Sequence, residues 1–249
     1  MSAQTASRPA GKRSETVYET YLRTDELLSL QTPAEARLHP DELTFQVVHQ
    51  TFELWWKVTV EQLQTAAVHL RAGEVLEAAR CLRRAVSAQS VVLAALRQLE
   101  FVGPADFLTI RRGLGDGSGA DSPGFRAILR EAPDLWDTFA DALAREHVAL
   151  VDLYAQPREH AALYDCAEAL TDFDEQFHLF RATHLKLAQR NLGLHAIGTG
   201  GTPMPTLERT LHDLLFPQLW EARDELLERA QREGGPYGAA GRVSGHGHP

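Results

Sequence analysis

The sequence predicts an all-α protein, a helical bundle forming a single domain, and three features support this class. Apolar residues recur at intervals of three and four over long stretches, which is the spacing of one α-helical face. Alternating runs of the strand type extend over only a few residues, and no β-hairpin signature is found. Two Gly-rich segments, 115–124 and 197–205, separate long helical stretches, and each predicts a loop.

The first helices follow a polar segment, residues 1–15, which predicts a flexible arm. Helical spacing begins at Thr16, and the apolar residues on the expected face are Tyr18, Tyr21, Leu22, Leu27 and Leu28. Pro33 and Pro40 interrupt this pattern, because proline lacks the N–H that a helix interior needs. A long helix is then expected from Asp41 to Gly73, since an acidic residue favours a helix N-terminus and glycine favours its end.

The rest of the chain continues the helical pattern. Pro104 favours a helix start there, because proline is common in the first helical turn. Further helices are expected over residues 74–101, 104–114, 125–155, 157–193 and 206–232. The Gly- and His-rich residues 233–249 predict a disordered tail, so the expected domain spans 16–232.

Composition excludes several classes of protein. The chain has 249 residues and a formal net charge of −9, which argues against a nucleic-acid partner. No apolar run approaches the roughly 18 residues of a membrane span, and the N-terminus lacks the apolar core of a signal peptide. Only two cysteines, Cys81 and Cys166, are present, without metal-binding spacing. These features together predict a cytoplasmic protein.

One face of the long helix carries candidate chemistry. Phe45, His49, Glu53 and Trp56 follow each other at spacings of four, four and three, so they share that face. The pattern fits a functional histidine, and it also fits a core helix with one hydrogen-bonded histidine.

A second candidate histidine, His184, lies within the helix predicted over 157–193, with Phe180 and Leu185 nearby. A helical histidine that faces a core can bind a haem iron axially, although an ordinary core histidine gives the same pattern. His178 competes for the role and lies on a different helix face. No HExxH metal motif is present.

Two further elements suit substrate binding. The GTGGT segment does not match a phosphate-binding loop and follows no strand, so a loop that closes over a small substrate, or a plain connector, fits better. Arg111 suits a carboxylate clamp, because a guanidinium offers two parallel N–H donors, but it equally suits a solvated surface.

Several motifs in one order resemble the tryptophan 2,3-dioxygenase family. They are YETYLRTDELLSLQ, HPDELTFQVVHQTFELWWK, FLTIRRGLGDGSG, FRATHLKLAQRNLGLHAIGTGGT and LFPQLWEAR. The resemblance covers roughly residues 16–130 and 175–223. It implies a bundle that encloses haem b (iron protoporphyrin IX), with O2 as co-substrate, assembled as a homotetramer.

The resemblance also implies roles for individual positions. His184 would bind the haem iron, and His49 would be the distal histidine beside the substrate's indole N–H. Arg111 would hold the substrate carboxylate, with Thr199 beside it. The remaining implied roles are pocket walls for Phe45 and Phe107, a loop beside the haem for Ser118 and Gly119, and contacts to a neighbouring subunit's pocket for Tyr18, Tyr21 and Leu22.

The chain departs from the family pattern in places that concern the substrate. The usual Ser-Gly-Phe-Gln-Ser becomes Ser118-Gly119-Ala120-Asp121-Ser122, which replaces an aromatic ring and an amide. Judged by motif spacing, the region 135–175 is roughly 50 residues shorter than in the typical enzyme of the family, which has a domain of ordinary size. Three functions therefore stand as hypotheses: dioxygenation of the indole C2–C3 bond to an N-formylkynurenine, monooxygenation of an aromatic amino acid (tyrosine hydroxylation or oxindole formation, in secondary metabolism), and a helical protein without turnover.

Overall fold

The computed structural model describes residues 15–198, 201 and 203–232. Within these ranges the chain forms ten α-helices and no β-strand, which confirms the all-α prediction. The helices are α1 (Val17–Leu22), α2 (Thr24–Leu28), α3 (Glu42–Arg71), α4 (Val75–Leu96), α5 (Pro104–Leu114), α6 (Pro123–Arg145), α7 (Leu150–Ala155), α8 (Ala161–Leu192), α9 (Met204–Arg209) and α10 (Pro217–Arg232). Of the predicted arm, 1–15, only Glu15 is described; the predicted tail, 233–249, and Thr199 lie outside the described residues. None of the described helices is long and apolar enough to cross a membrane.

Four long helices, α3, α4, α6 and α8, form the centre of the bundle. Their apolar residues recur at helical spacing, so each helix buries one stripe against its neighbours. The largest side chains that are fully buried in α6 and α8 are Phe139, Phe173 and Phe177. The candidate residues of α3 and α8 therefore lie on elements fixed by the core.

The observed helices break at three places where the sequence predicts continuity. The expected helix over 125–155 is two, because His147 has φ +55 after α6 ends. The N-terminal helix divides at Arg23, which has φ +53. The last expected helix, 206–232, is α9, a 3-10 turn over Thr210–His212 and α10, which begins at Pro217. Backbone with positive φ cannot continue a right-handed helix, so the first two breaks are enforced locally.

Asp174 anchors the C-terminal helix to α8. This carboxylate is completely buried. It accepts hydrogen bonds from the backbone N–H of Leu215 (2.9 Å) and Phe216 (3.3 Å) and from Nε1 of Trp220 (3.0 Å). Burying a carboxylate is favourable only when such donors replace water, and here two of the donors directly precede α10 and the third lies in its first turn.

The two N-terminal helices differ from the other α-helices because none of their residues is fully buried. No residue of α1 or α2 is buried, and Tyr18 and Tyr21 are 68% and 84% exposed. A capping box between Thr16 and Glu19 completes the first turn of α1. The apolar face predicted for this segment exists, but in a single chain it faces outward.

Candidate functional site

The first candidate residue, His49, lies on the inner side of α3 within a row of aromatic rings. Its ring centroid is 4.1 Å from that of Phe45 and 5.4 Å from that of Phe52. Its Nδ1 lies 2.7 Å from the carbonyl oxygen of Phe45, one helical turn earlier. Because a carbonyl oxygen only accepts, Nδ1 must carry the proton, and burial lowers the pKa of His49. The neutral ring then presents Nε2 as a hydrogen-bond acceptor.

The aromatic row continues from α3 to His184 on α8. Phe52 packs edge-on against Phe180 at 5.5 Å, and the ring of Phe180 is roughly parallel to that of His184 at 6.1 Å. The fold thus brings the two candidate histidines to the same apolar region of the bundle. His178 is not part of this row in the described structure, and its buried Nδ1 has no hydrogen-bond partner there.

His184 has the chemistry that an axial iron ligand requires. Burial, together with the neighbouring His49, lowers the pKa of His184 to about 4, so its imidazole is neutral at pH 7. A neutral imidazole nitrogen is the form that binds iron. Within the described residues neither ring nitrogen of His184 forms a hydrogen bond that would compete with a metal.

The Ser118–Ser122 loop lies against His184, and its glycine leaves space there. A Cβ added to Gly119 would lie 3.9 Å from Cε1 and 4.0 Å from Nε2 of His184. Any side chain at this position would therefore occupy the space next to Nε2 of His184. Together with the unpaired imidazole, this open space fits a haem held by His184, with Ser118 and Gly119 along it.

Local capping gives this loop its shape. The Ser118 hydroxyl accepts from the N–H of Ala120 (3.0 Å), and the Asp121 carboxylate accepts from the N–H of Ser118 (3.0 Å). These bonds form a capping box on the 3-10 turn Gly119–Asp121. The carboxylate of Asp121, which departs from the family pattern, is thus used within the loop.

A carboxylate on α3 holds the end of the same loop. Glu53 accepts hydrogen bonds from the Ser122 hydroxyl (2.5 Å) and from the N–H of Gly124 (2.9 Å). Gly124 is required at this contact, since an added Cβ would lie 2.7 Å from Cβ of Trp56. Helical spacing places Glu53 on the same face of α3 as His49, but it does not reveal that Glu53 bonds Ser122 and Gly124. A Ser-Pro-Gly run, which is typical of a helix start, was the available signal.

The substrate-clamp candidate, Arg111, reaches the second Gly-rich segment. Its Nη2 donates to the carbonyl oxygen of Ile197 at 2.9 Å. Arg111 also lines an open cavity of about 460 Å³ between α5 and that segment, together with Asp116, Gly198 and Gly201. The fold therefore brings α5 together with the segment that begins at Ile197, although the two lie far apart in the sequence.

The other predicted pocket residues differ in position. Phe107 on α5 packs 6.2 Å from Phe45, so it adjoins the aromatic row. By contrast, the three predicted residues of α1 are mostly or partly exposed: Tyr18 by 68%, Tyr21 by 84% and Leu22 by 44%.

Comparison with known proteins agrees with this geometry. Residues 1–131 match the family model described as tryptophan 2,3-dioxygenase. The chain is similar to proteins named tryptophan 2,3-dioxygenase from Saccharopolyspora erythraea (31% identical, covering 88% of this chain and 98% of the relative), Caulobacter vibrioides (30%, 84% and 98%) and Serratia proteamaculans (28%, 84% and 92%). The chain is therefore an all-α protein whose relatives are oxidoreductases, and it belongs to that class of enzyme. The chain belongs to the tryptophan 2,3-dioxygenase family.

The same comparisons show that the chain is shorter than its relatives. The alignment with the Serratia proteamaculans protein extends over 260 positions but includes only 84% of the 249 residues here, or about 209. About 50 positions of the alignment therefore hold a residue of the relative and none of this chain. This number is similar to the shortening predicted from motif spacing.

Proposed function

We propose that this chain is a haem b-dependent dioxygenase that inserts O2 into the indole C2–C3 bond of L-tryptophan, or of a substituted tryptophan, to give an N-formylkynurenine. The observation that carries the proposal is the neutral imidazole of His184, which has no hydrogen-bond partner among the described residues and shares an apolar region with His49. Family membership supports the reaction class. Haem bound to His184 would supply the oxygen chemistry, and the protein would supply binding and orientation.

His49 is proposed to orient the indole ring. Its Nδ1–H is engaged by the Phe45 carbonyl, so Nε2 is available to accept a hydrogen bond from the indole N–H, or its proton. Phe45 and Phe107 would form apolar walls that limit water around the substrate ring. A substrate methylated at the indole nitrogen would lose the bond to His49 but keep the wall contacts.

Arg111 is proposed to hold the substrate carboxylate at the cavity between α5 and the Gly-rich segment. In the described structure its guanidinium bonds only one carbonyl oxygen, which leaves donors for a carboxylate. Thr199, implied by the family resemblance, would hold the ammonium and carboxylate groups from the same segment. Two-point binding of this kind fixes the amino acid, and orientation can lower a barrier by about 7 kcal/mol in ideal cases.

We further propose a cytoplasmic homotetramer. The exposed apolar residues of α1 support an assembled state, in which Tyr18, Tyr21 and Leu22 would reach a neighbouring subunit's pocket. Both cysteines are free and buried, as expected for a reducing compartment.

Monooxygenation is the second candidate, and the loop at His184 favours keeping it. Ala120 replaces the family's aromatic ring beside the proposed haem, and its side chain is exposed. A wall without that ring would orient the bound ring less strictly. Tyrosine hydroxylation and oxindole formation are therefore the alternative outcomes.

Product mass tests the proposed reaction. The haem-reconstituted, reduced chain is incubated with O2 and with tryptophan, methylated tryptophans or tyrosine. A gain of two oxygen atoms on an indole substrate supports the dioxygenase. A gain of one atom supports the second candidate, and a chain that retains no haem contradicts both.

Replacement of His184 tests the cofactor assignment. His184→Ala should abolish stable haem retention, measured by the haem absorption band after gel filtration, with His178→Ala as the matched control on the same helix. Full haem and activity in His184→Ala would transfer the role to His178.

Replacement of Arg111 tests the clamp. Arg111→Ala should raise KM sharply for amino acids but little for analogues without the carboxylate. Arg84→Ala serves as the control, because Arg84 is an exposed arginine on α4 that does not line this cavity. Equal effects on both kinds of substrate would refute the clamp.

A further inference from the structure

Glu53 connects the two helices that border the proposed haem site. It lies one helical turn after His49 on α3, and both of its carboxylate oxygens bond the start of α6. The donors are the Ser122 hydroxyl and the Gly124 backbone N–H, at 2.5 and 2.9 Å. A carboxylate in this position is stabilised by the positive end of the helix as well as by the two bonds.

These bonds lead directly to the loop beside His184. The Ser122 hydroxyl donates to Glu53 and accepts from the N–H of Phe125 at 3.1 Å. The N–H of Ser122 donates to the carbonyl oxygen of Gly119 at 3.3 Å. Gly119 in turn is the residue whose added Cβ would lie 4.0 Å from Nε2 of His184. Glu53 is thus connected through one short, self-capped turn to the residue that faces the proposed iron ligand.

The contact between α3 and α6 leaves no room for this turn to move closer to α3. A Cβ added at Gly124 would lie 2.7 Å from Cβ of Trp56 and 2.8 Å from Oε2 of Glu53. Trp56 is buried, so it cannot move aside. The loop therefore cannot move away from the histidines without breaking the bonds to Glu53.

We propose that Glu53 is a positioning residue: through Ser122 and Gly124 it fixes the loop 118–122 at the distance from His49 and His184 that the reaction requires. This inference rests on the proposed function, because it assigns Glu53 a part in the same site. Glu53 acts through the loop and does not itself touch the substrate.

Three substitutions separate the two bonds. Glu53→Gln keeps the shape and one oxygen for Ser122, but places an NH2 donor against the Gly124 N–H. Ser122→Ala removes the hydroxyl that donates to Glu53, and Ser122→Thr retains a hydroxyl for that bond. Glu61→Gln is the matched control, because Glu61 lies two turns further along α3 and is exposed.

Hydrogen exchange of the full-length, cofactor-free chain tests the positioning directly. We expect the amides of 118–125 to exchange about tenfold faster in Glu53→Gln than in the unmodified chain, while amides in the middle of α4 are unchanged. Glu61→Gln should match the unmodified chain. Exchange in Glu53→Gln that matches the unmodified chain would overturn the inference.

The haem-loaded chain gives the second readout. Glu53→Gln and Ser122→Ala should each shift the haem absorption band and lower kcat about tenfold, with KM for the amino acid changed by less than about threefold. Ser122→Thr should restore both values. An unshifted band with unaltered kcat in both variants would also refute the positioning role. An unmodified chain that takes up no haem would instead contradict the proposed function, while the exchange result would still decide whether Glu53 holds the loop.

Discussion

Gly124→Ala should destabilise the chain, although alanine is normally the better helix former. The added Cβ would lie 2.7 Å from Cβ of Trp56, whereas carbon atoms pack best at about 3.5–4.0 Å. To relieve this overlap, α3 and α6 must therefore move apart by about 1 Å. Neither helix moves easily, because Trp56 is only 3% exposed and Glu53 bonds the same turn.

The expected magnitude follows from two opposing contributions. Overpacking of this kind costs about 1–3 kcal/mol, and replacement of a helical glycine returns up to about 1 kcal/mol. When the full return is subtracted from the middle of the overpacking range, the net loss is about 1 kcal/mol, or a Tm lower by roughly 2–4 °C for a chain of this size.

Thermal unfolding of the cofactor-free chain, followed by circular dichroism, measures this effect. Gly113→Ala is the matched control, because its added Cβ meets only the tip of the half-exposed Leu38 side chain, at 3.1 Å. The control should have an unchanged or slightly higher Tm. A Gly124→Ala chain as stable as the control would refute the close contact between α3 and α6.

Three other predictions concern stability and assembly. Asp174→Asn should lower the free energy of unfolding, measured by urea denaturation, by about 3 kcal/mol, because an NH2 donor replaces one of the two oxygens that accept from N–H groups. Asp172 is exposed, so Asp172→Asn should have no such effect. The pKa of His184 is about 4 in the folded chain, below the ordinary value of 6.5. The unfolded chain therefore binds a proton that the folded chain does not, and the cofactor-free protein should lose stability as the pH falls from about 6.5 to about 4. A His184→Gln chain whose stability depends equally steeply on pH would contradict this. Replacing both Tyr18 and Tyr21 by serine should leave Tm within about 1–2 °C of the unmodified chain, since both side chains are exposed. The double replacement should lower the mass of the assembly in analytical ultracentrifugation. An unchanged mass would count against the proposed role of α1.

The sequence predicts the long helices well because local signals agree there. The expected bounds of α3, Asp41 to Gly73, differ little from Glu42–Arg71, since an acidic start, apolar spacing and a terminal glycine all coincide. The break after α6 carries no such signal. His147 adopts φ +55 without a glycine or proline to announce it, so the residue types at this position do not predict the turn.

Parts of the site are predictable for the same reason. Spacing alone places His49 and Glu53 on one helix face, because both belong to α3. The approach of His184 to His49 depends on how α8 packs in the bundle, and only the family resemblance suggested it. The bond from Arg111 to Ile197 likewise joins segments far apart in the chain, so periodicity could not reveal it.

The six-residue helix α1 has a consequence for how the proposed enzyme would behave at low concentration. A helix this short is marginal in water, and α1 buries no side chain that would hold it in place. If it completes a pocket in another subunit, its order depends on mass action, as for any bound partner. Specific activity should then fall when the protein is diluted below the dissociation constant of the assembly, and it should return when the protein is concentrated again.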